Sequence, residues 1–357
     1  AMGCGVRDPQ MDGAKFLMVV FVITLHMSHW HVGKYTWPAS AVSKALGFQM
    51  PLLCLLSGAV SRGQPGRPLA RLLRLAVPCV VFGNLMPSQY WLLWYLRCLI
   101  IWRLAAVWLE RLPTAAQALA AAAAGLAGAY ASVFAAARGL SGPEAAVDVI
   151  RAGAMMPYFV LGMHLDWRWM STLGPTTSSH YRGLVVGWAA FLLYVFVYVA
   201  FEAKLDRAFF RAEWWLDIMW FSGLCTRCGA AADLVWARYV ADLVLNVVVG
   251  LLFFVWCVPR SSSFVSWYGA HTLYPYVLHD RALMLFLYIW RTLLGGKTPP
   301  SGLLAGCSRV AGWGLMSLAL AVLLSSWPCR AVFRWVVEPP WLPAAARRPA
   351  APVESPQ

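Results

Sequence analysis

Apolar runs of about 17 to 25 residues recur along the chain and constrain its fold more than any other feature. A helix of that length crosses a hydrocarbon core of about 30 Å. In a helix every backbone polar group is bonded within the segment, as the bilayer interior requires. The sequence therefore predicts an all-α fold, a polytopic bundle of transmembrane helices.

We predict about ten spans and, around them, a single membrane domain over residues 12–340. The spans lie near 15–33, 42–61, 72–87, 89–109, 115–137, 146–165, 183–202, 237–258, 267–290 and 302–327. The fifth is rich in alanine, and small residues allow membrane helices to pack closely. A short interfacial or re-entrant segment is expected near 211–230, and a Pro/Ala-rich disordered tail over 341–357.

Composition agrees with a membrane location, since 61% of the 357 residues are hydrophobic and 12% are charged. The formal charge of +14 and the 20 tryptophans have a membrane explanation, because Arg and Trp gather at bilayer interfaces. We expect the lipid bilayer as a partner and no nucleic acid. The distribution of Lys and Arg favours both termini in the cytoplasm. The one CxxC, Cys225 and Cys228, has no second pair, so no metal site is predicted.

A histidine interrupts the first apolar run, KFLMVVFVITLHMSHWH, which extends from Lys15 to His31. Lys15 and His26 are about three helical turns apart, so they lie on nearly the same face, about 16 Å apart along the axis. The imidazole is then about halfway across the membrane. Ionisable groups inside a span usually face a bundle interior or a watery cavity, which makes His26 a functional candidate. The alternative is a neutral histidine bonded to a neighbouring helix. His29 and His31 lie nearer the far surface, and no chemistry is assigned to them.

Three arginines follow the second span at positions i, i+4 and i+7, namely Arg67, Arg71 and Arg74. On a helix they form one basic stripe at a membrane surface. The planar guanidinium forms bidentate bonds with phosphate and stays charged, so the stripe is suited to a polyanion. The alternative is an anchor that contacts lipid headgroups.

Further ionisable residues lie inside the fourth and ninth predicted spans. Arg97 and Arg103 are six apart and do not share a helix face, and the more deeply placed Arg97 is the better candidate for a buried anion contact or an ion pair. His279 and Asp280 are adjacent, so on a helix they do not face each other. We therefore favour a structural use of these two, and keep Arg97 and His279 as candidates to line a cavity.

The ordered set of motifs resembles the acyltransferase 3 family of integral-membrane O-acyltransferases. MDGAKFLMVVFVITLH is similar to that family's opening pattern: an acidic residue, a basic residue three later, and a histidine eleven after the basic one. FQMPLLCLLSGAV, RPLARLLRLAVP and LLWYLRCLIIWRL resemble its second, third and fourth spans. GAHTLYPYVLH and RAVFRWVVEPP are similar to its last motifs. The resemblance extends over about residues 12–340.

The resemblance implies that His26 is the catalytic histidine and that Arg67 and Arg71 are the RxxxR pair. Lys15 stands where the family usually has arginine. Lysine keeps the positive charge but cannot form the bidentate bonds of a planar guanidinium. The implied donor is acyl-CoA, commonly acetyl-CoA, with no permanently bound cofactor. The implied acceptor is a hydroxyl, often of a carbohydrate.

On this interpretation Lys15, Arg67, Arg71 and Arg74 hold the phosphates of acyl-CoA, and His26 is a general base or an acyl relay. Two alternatives stay open. One is a transporter or channel for an anion or proton, lined by intramembrane Arg and His residues. Paired discontinuous helices or an inverted repeat would indicate it, and the sequence suggests neither. The other is a non-catalytic relative that retains the scaffold.

Overall fold

The computed structural model describes residues 8–32, 37–61, 68–85, 93–137, 144–174, 180–204, 235–294 and 303–339. Every regular element within these ranges is a helix, which confirms the all-α prediction. The first seven are α1 (Pro9–Val32), α2 (Ala39–Ala45), α3 (Gln49–Ser61), α4 (Pro68–Leu85), α5 (Trp94–Leu109), α6 (Thr114–Ala137) and α7 (Glu144–His164). The others are α8 (Trp167–Thr172), α9 (His180–Lys204), α10 (Val235–Cys257), α11 (Phe264–Gly269), α12 (Leu273–Leu294), α13 (Leu303–Ser325) and α14 (Trp327–Val337).

Six helical stretches are long and apolar enough to cross a membrane: Pro9–His31, Ala39–Ser61, Thr114–Phe134, His180–Ala200, Val235–Cys257 and Leu303–Ser325. The protein is thus an integral membrane protein with several spans. The predicted count of about ten exceeds these six. Four predicted spans are not among them: the apolar part of α4 covers only Leu72–Gly83, α5 has only 16 residues, and α7 and α12 contain ionisable residues in their interiors.

Two predicted spans are divided in the structure. The second consists of α2 and α3, with a break between Ala45 and Gln49. In that break Phe48 packs against Phe21 of α1 and Phe253 of α10, at centroid distances of 6.2 and 5.4 Å. The ninth was predicted from residue 267, but its long helix begins at Leu273. The preceding α11 is a separate short helix, and Ser263 caps its start.

Helix α1 lies inside the bundle. In its apolar window 89% of the residues are buried, against 17% in the corresponding window of α9, which therefore faces lipid. Helices α2, α3, α11, α12 and α13 all contact α1. A polar side chain in the middle of α1 consequently meets protein groups rather than lipid.

Helices α3 and α7 touch through their backbones. A Cβ atom on Gly58 would overlap the carbonyl oxygen of Phe159, and one on Gly162 would overlap that of Leu55. The alanine-rich α6 packs on α7 in a similar way, since a Cβ on Gly128 would meet the Ala154 backbone at 2.5 Å. Small residues at these positions allow the helices to approach closely, as in other membrane bundles.

The last described helix, α14, has eleven residues and a length of about 16 Å, too short to cross a membrane. Its Val336 and Val337 are buried, whereas Trp327 and Trp335 are exposed. It packs against α4, α12 and α13. The predicted segment near 211–230, the CxxC, Arg67 and the tail over 341–357 lie outside the described residues.

Candidate functional site

The structure brings together two histidines, His26 and His279, that are 253 positions apart in the sequence. The rings of His26, on α1, and His279, on α12, stack with centroids 5.4 Å apart and an interplanar angle of 25°. Both residues are buried, with 6% and 2% of their surface exposed. His26 thus faces the bundle interior, where its ring contacts a second imidazole.

Local geometry on α12 determines which nitrogen of His279 has the proton. Its Nδ1 lies 2.7 Å from the carbonyl oxygen of Tyr276 and 3.1 Å from that of Pro275. Carbonyl oxygens only accept hydrogen bonds, so Nδ1 is the donor and the N–H is there. Nε2 of the neutral ring then has a lone pair, and among the described residues it has no hydrogen-bond partner. Nε2 is therefore the hydrogen-bond acceptor of this ring.

A row of aromatic rings connects the histidine pair with α5. The Tyr276 ring lies 6.1 Å from His279 and 5.7 Å from Tyr95. Tyr95 in turn is held on α3, because its hydroxyl donates to the Leu53 carbonyl at 3.0 Å and lies 2.7 Å from the Ser57 hydroxyl. The pair is therefore placed by four helices, α1, α3, α5 and α12.

Lys15 lies at the start of α1 and is paired locally. Its Nζ is 3.1 Å from Oδ1 of Asp12, one turn earlier, and 23% of the lysine side chain is exposed. The backbone of Asp12 abuts Gly269 of α11, where a Cβ atom would overlap the aspartate carbonyl. The acidic and basic residues of the opening motif thus form an ion pair where α1 meets α11.

The arginine stripe is described in part. Arg71 and Arg74 belong to α4, as the predicted third span required, and Arg74 is half-buried. Helix α4 packs against α5 and α14. Helix α14 contains two further arginines, Arg330 and Arg334.

Arg97 forms an ion pair, one of the two uses that its position in the sequence allowed. Its Nε donates to Oδ2 of Asp148 on α7. Arg151, one turn further along α7, approaches Oδ1 of the same aspartate at 4.0 Å and lies over the Trp94 ring at 5.4 Å. Two guanidinium groups share one carboxylate that is 4% exposed, so this cluster has a net positive charge inside the bundle. Arg103 is half-buried on α5 and is not part of it.

Three other histidines connect helices near the bundle ends. His29 lies 2.5 Å from the Ser43 hydroxyl of α2, and the His31 ring lies edge-on to Trp313 of α13 at 5.9 Å. His271 accepts from Nη1 of Arg330 at 2.5 Å, which connects the α11–α12 junction with α14. These contacts bridge helices outside the His26–His279 pair.

Sequence reasoning missed the two residues that form a charged cluster with Arg97, although the sequence marks both of them. Asp148 and Arg151 are ionisable residues inside an apolar run, which marks a position facing the bundle.

A small cavity between α5, α7 and α10 is lined by Trp94, Arg151, Ala154, Met155, Tyr158, Tyr239 and Asp242. None of the predicted site residues lines this cavity. In the described part of the chain no three His, Cys, Asp or Glu side chains are grouped as metal ligands.

Comparison with known proteins adds no assignment, because no family model matches the chain and no curated protein or solved structure is significantly similar to it. The class that the fold and the site define is therefore an all-helical integral membrane protein with a buried pair of histidines.

Proposed function

We propose that this protein is a membrane-embedded O-acyltransferase that moves an acyl group, most simply acetyl, from acyl-CoA to a hydroxyl of a carbohydrate or other small acceptor. The observation behind the proposal is the stacked pair His26 and His279 in the bundle interior. Two buried imidazoles, one with an available Nε2, provide proton acceptors where a thioester and an alcohol can meet without bulk water. The resemblance of the ordered motifs to the acyltransferase 3 family supports the same reaction.

In direct transfer His26 acts as the general base. It takes the hydroxyl proton as the acceptor oxygen attacks the thioester carbonyl, the carbon–sulfur bond breaks, and the thiolate of CoA receives the proton from the imidazolium. A neutral imidazole has one ring nitrogen with a lone pair, which can take this proton and then return it. One base is sufficient for this route.

In a relay His26 is itself acylated. An imidazole nitrogen attacks the thioester, CoA leaves as the thiol with the proton of the other ring nitrogen, and the acceptor hydroxyl then attacks the acyl-imidazole. The acylated ring is a poor base for that second step, so another group has to take the hydroxyl proton. His279, at 5.4 Å, takes that proton on Nε2 and returns it to the His26 ring as the acyl–nitrogen bond breaks, so both imidazoles end neutral. The paired geometry therefore suits the relay as well as direct transfer.

For the donor we propose the basic residues at the end of the bundle where α1 begins. Lys15, Arg67, Arg71 and Arg74 would hold the phosphates of CoA, with bidentate bonds from the arginines and a point charge from the lysine. This assignment goes with ten spans and both termini in the cytoplasm, where the acyl-CoA pool would be accessible.

A transporter or channel for an anion or a proton is the second candidate. The observation in its favour is the net positive cluster of Arg97, Arg151 and Asp148 inside the bundle. The ion pair of Arg97 with Asp148 argues against an open path for anions, because the guanidinium already has an anionic partner.

The deciding experiment uses the purified full chain in nanodiscs, with labelled acetyl-CoA and a panel of carbohydrate acceptors. We expect turnover by the wild type and by His31→Ala, the matched control from the same helix, and its loss in His26→Ala. Equal turnover in His26→Ala would refute the role of His26. Absence of turnover in the wild type, together with anion or proton flux in liposomes, would favour the transporter.

A further inference from the structure

Asp280, the residue after His279, is a buried carboxylate, and among the described residues the charge that acts on it is that of the next residue, Arg281. Only 5% of its surface is exposed. Within the described ranges neither of its two oxygens has a hydrogen-bond partner, and no ion pair includes it. Removing a carboxylate from water without compensating bonds is unfavourable, so such a group usually meets a ligand or a counter-charge.

Two other carboxylates are buried in the described helices, and both have partners. Asp148 pairs with Arg97 and lies within 4.0 Å of Arg151. Asp242 is bonded to the side chain of Asn246, one turn further along α10. Asp280 therefore differs from its counterparts in having two open acceptor atoms.

The position of Asp280 places it at the proposed site. Tyr276, Asp280, Leu283 and Leu287 are all buried and recur at i, i+4, i+7 and i+11, so they form one buried face of α12. Tyr276 contacts Tyr95 of α5 from this face. His279 lies beside the face and turns toward His26 of α1. Asp280 is thus one helical turn from Tyr276 and adjacent in the chain to the histidine that accepts a proton.

The chemistry of the open atoms indicates the ligand. An ionised carboxylate has only acceptors, and its two oxygens lie side by side. Two neighbouring hydroxyl groups donate one bond to each oxygen, as a vicinal diol does. We propose that Asp280 binds a vicinal diol of the acceptor, which assigns that acceptor to the polyols and carbohydrates. The assignment of the diol as acceptor rests on the proposed acyl transfer.

The test measures binding separately from catalysis. Thermal unfolding of the full chain in nanodiscs is followed with myo-inositol and methyl glucoside, and with their fully O-methylated counterparts, which have no donors. We expect the two polyols, and not the methylated probes, to raise the unfolding temperature of the wild type. The rise should vanish in Asp280→Asn and persist in Glu110→Gln, a control at an exposed carboxylate.

The kinetic arm compares the KM values of the two substrates. Loss of hydrogen bonds to a charged group should raise the KM for the acceptor about 10- to 100-fold in Asp280→Asn, and leave the KM for acyl-CoA unchanged. Asp280→Ser serves as a second variant where Asp280→Asn does not fold. A polyol-induced shift without turnover in the wild type would refute acyl transfer and leave the diol site standing.

Three results would overturn the proposal. They are the absence of a polyol-induced shift in the wild type, an equal shift in Asp280→Asn, and an equal shift with the methylated probes. A variant with raised thermal stability and unchanged kinetics would likewise refute it, because Asp280 would then be a buried acid without a ligand.

Discussion

The imidazole of His26 on α1 stacks on that of His279 on α12 at 5.4 Å, and the second ring is oriented by bonds from Nδ1 to two backbone carbonyls. One histidine inside a membrane helix is often structural. Two stacked histidines, one with a defined tautomer and an unpartnered Nε2 in the described part of the chain, are the arrangement on which the proposed acid–base role rests.

Replacement of His279 should separate the two acyl-transfer routes. If the relay operates, His279→Ala lacks the base for the second step, so labelled acyl groups accumulate on His26 while transfer falls about 10²- to 10⁴-fold. Mass spectrometry of the acid-quenched protein after mixing with acetyl-CoA measures the adduct. In direct transfer no adduct forms at His26, and its absence in a variant that still binds acyl-CoA would exclude the relay.

Replacement of Asp148 should destabilise the bundle more than replacement of Arg97. Asp148→Ala removes the carboxylate that two buried guanidinium groups share, which costs about 3–5 kcal/mol in the free energy of unfolding. Arg97→Met leaves Arg151 and Asp148 as a neutral pair, so its loss should be clearly smaller. Denaturant titration of the purified protein measures both, and Glu110→Gln, at an exposed site, should change the value by about 0.5 kcal/mol at most. The reverse order would contradict the assigned pairing.

Alanine at Gly58 or Gly162 should separate α3 from α7. The added Cβ overlaps a backbone carbonyl that cannot rotate away, and overpacking of this kind typically costs about 1–3 kcal/mol. Gly312 of α13 is the matched control, since a Cβ there meets nothing within 4 Å. Gly312→Ala should be neutral or stabilise by up to about 1 kcal/mol through helix propensity. Unfolding midpoints of the three variants measure the difference, and equal midpoints would contradict the contact.

Replacement of Arg74 should weaken binding of acyl-CoA more than it slows transfer. Arg74→Ala removes one charge-assisted contact to phosphate, which is worth about 1.5–3 kcal/mol, so the KM for acyl-CoA should rise about 10- to 100-fold. The value of kcat should change little, because the phosphates do not react. Kinetics at low and high salt give both constants, and a loss of kcat alone would place Arg74 elsewhere in the reaction.

The long helices could be predicted from the sequence because each has its own apolar run. The interior position of His26 followed from the cost of an imidazole in lipid. The breaks at Ala45–Gln49 and Gly269–Leu273 could not be located in this way, because neither contains a proline or an Asp, Glu, Lys or Arg residue that would mark the end of a helix. Their backbone is accommodated by other helices, through Phe48 in one case and through the α1–α11 contact in the other.

The partners across helices were beyond sequence reasoning. Spacing on one helix shows that the side chains of His279 and Asp280 point in different directions. The spacing does not show which distant helix each side chain contacts. His279 meets His26, and Arg97 meets Asp148, through contacts that depend on how α1, α5, α7 and α12 are arranged. Hydrophobic periodicity identifies the buried face of a helix but leaves its neighbour undetermined.

The glycine contact between α3 and α7 divides the bundle into parts with different freedom to move. No layer of side chains lies between these helices at Gly58 and Gly162, so they cannot slide or turn against each other and must move as one body. Tyr95 binds α5 to the same body through Leu53 and Ser57. Helix α12 meets this body at the ring contact of Tyr276 with Tyr95. His279 and Asp280 therefore lie on a helix that the glycine contact does not fix in place.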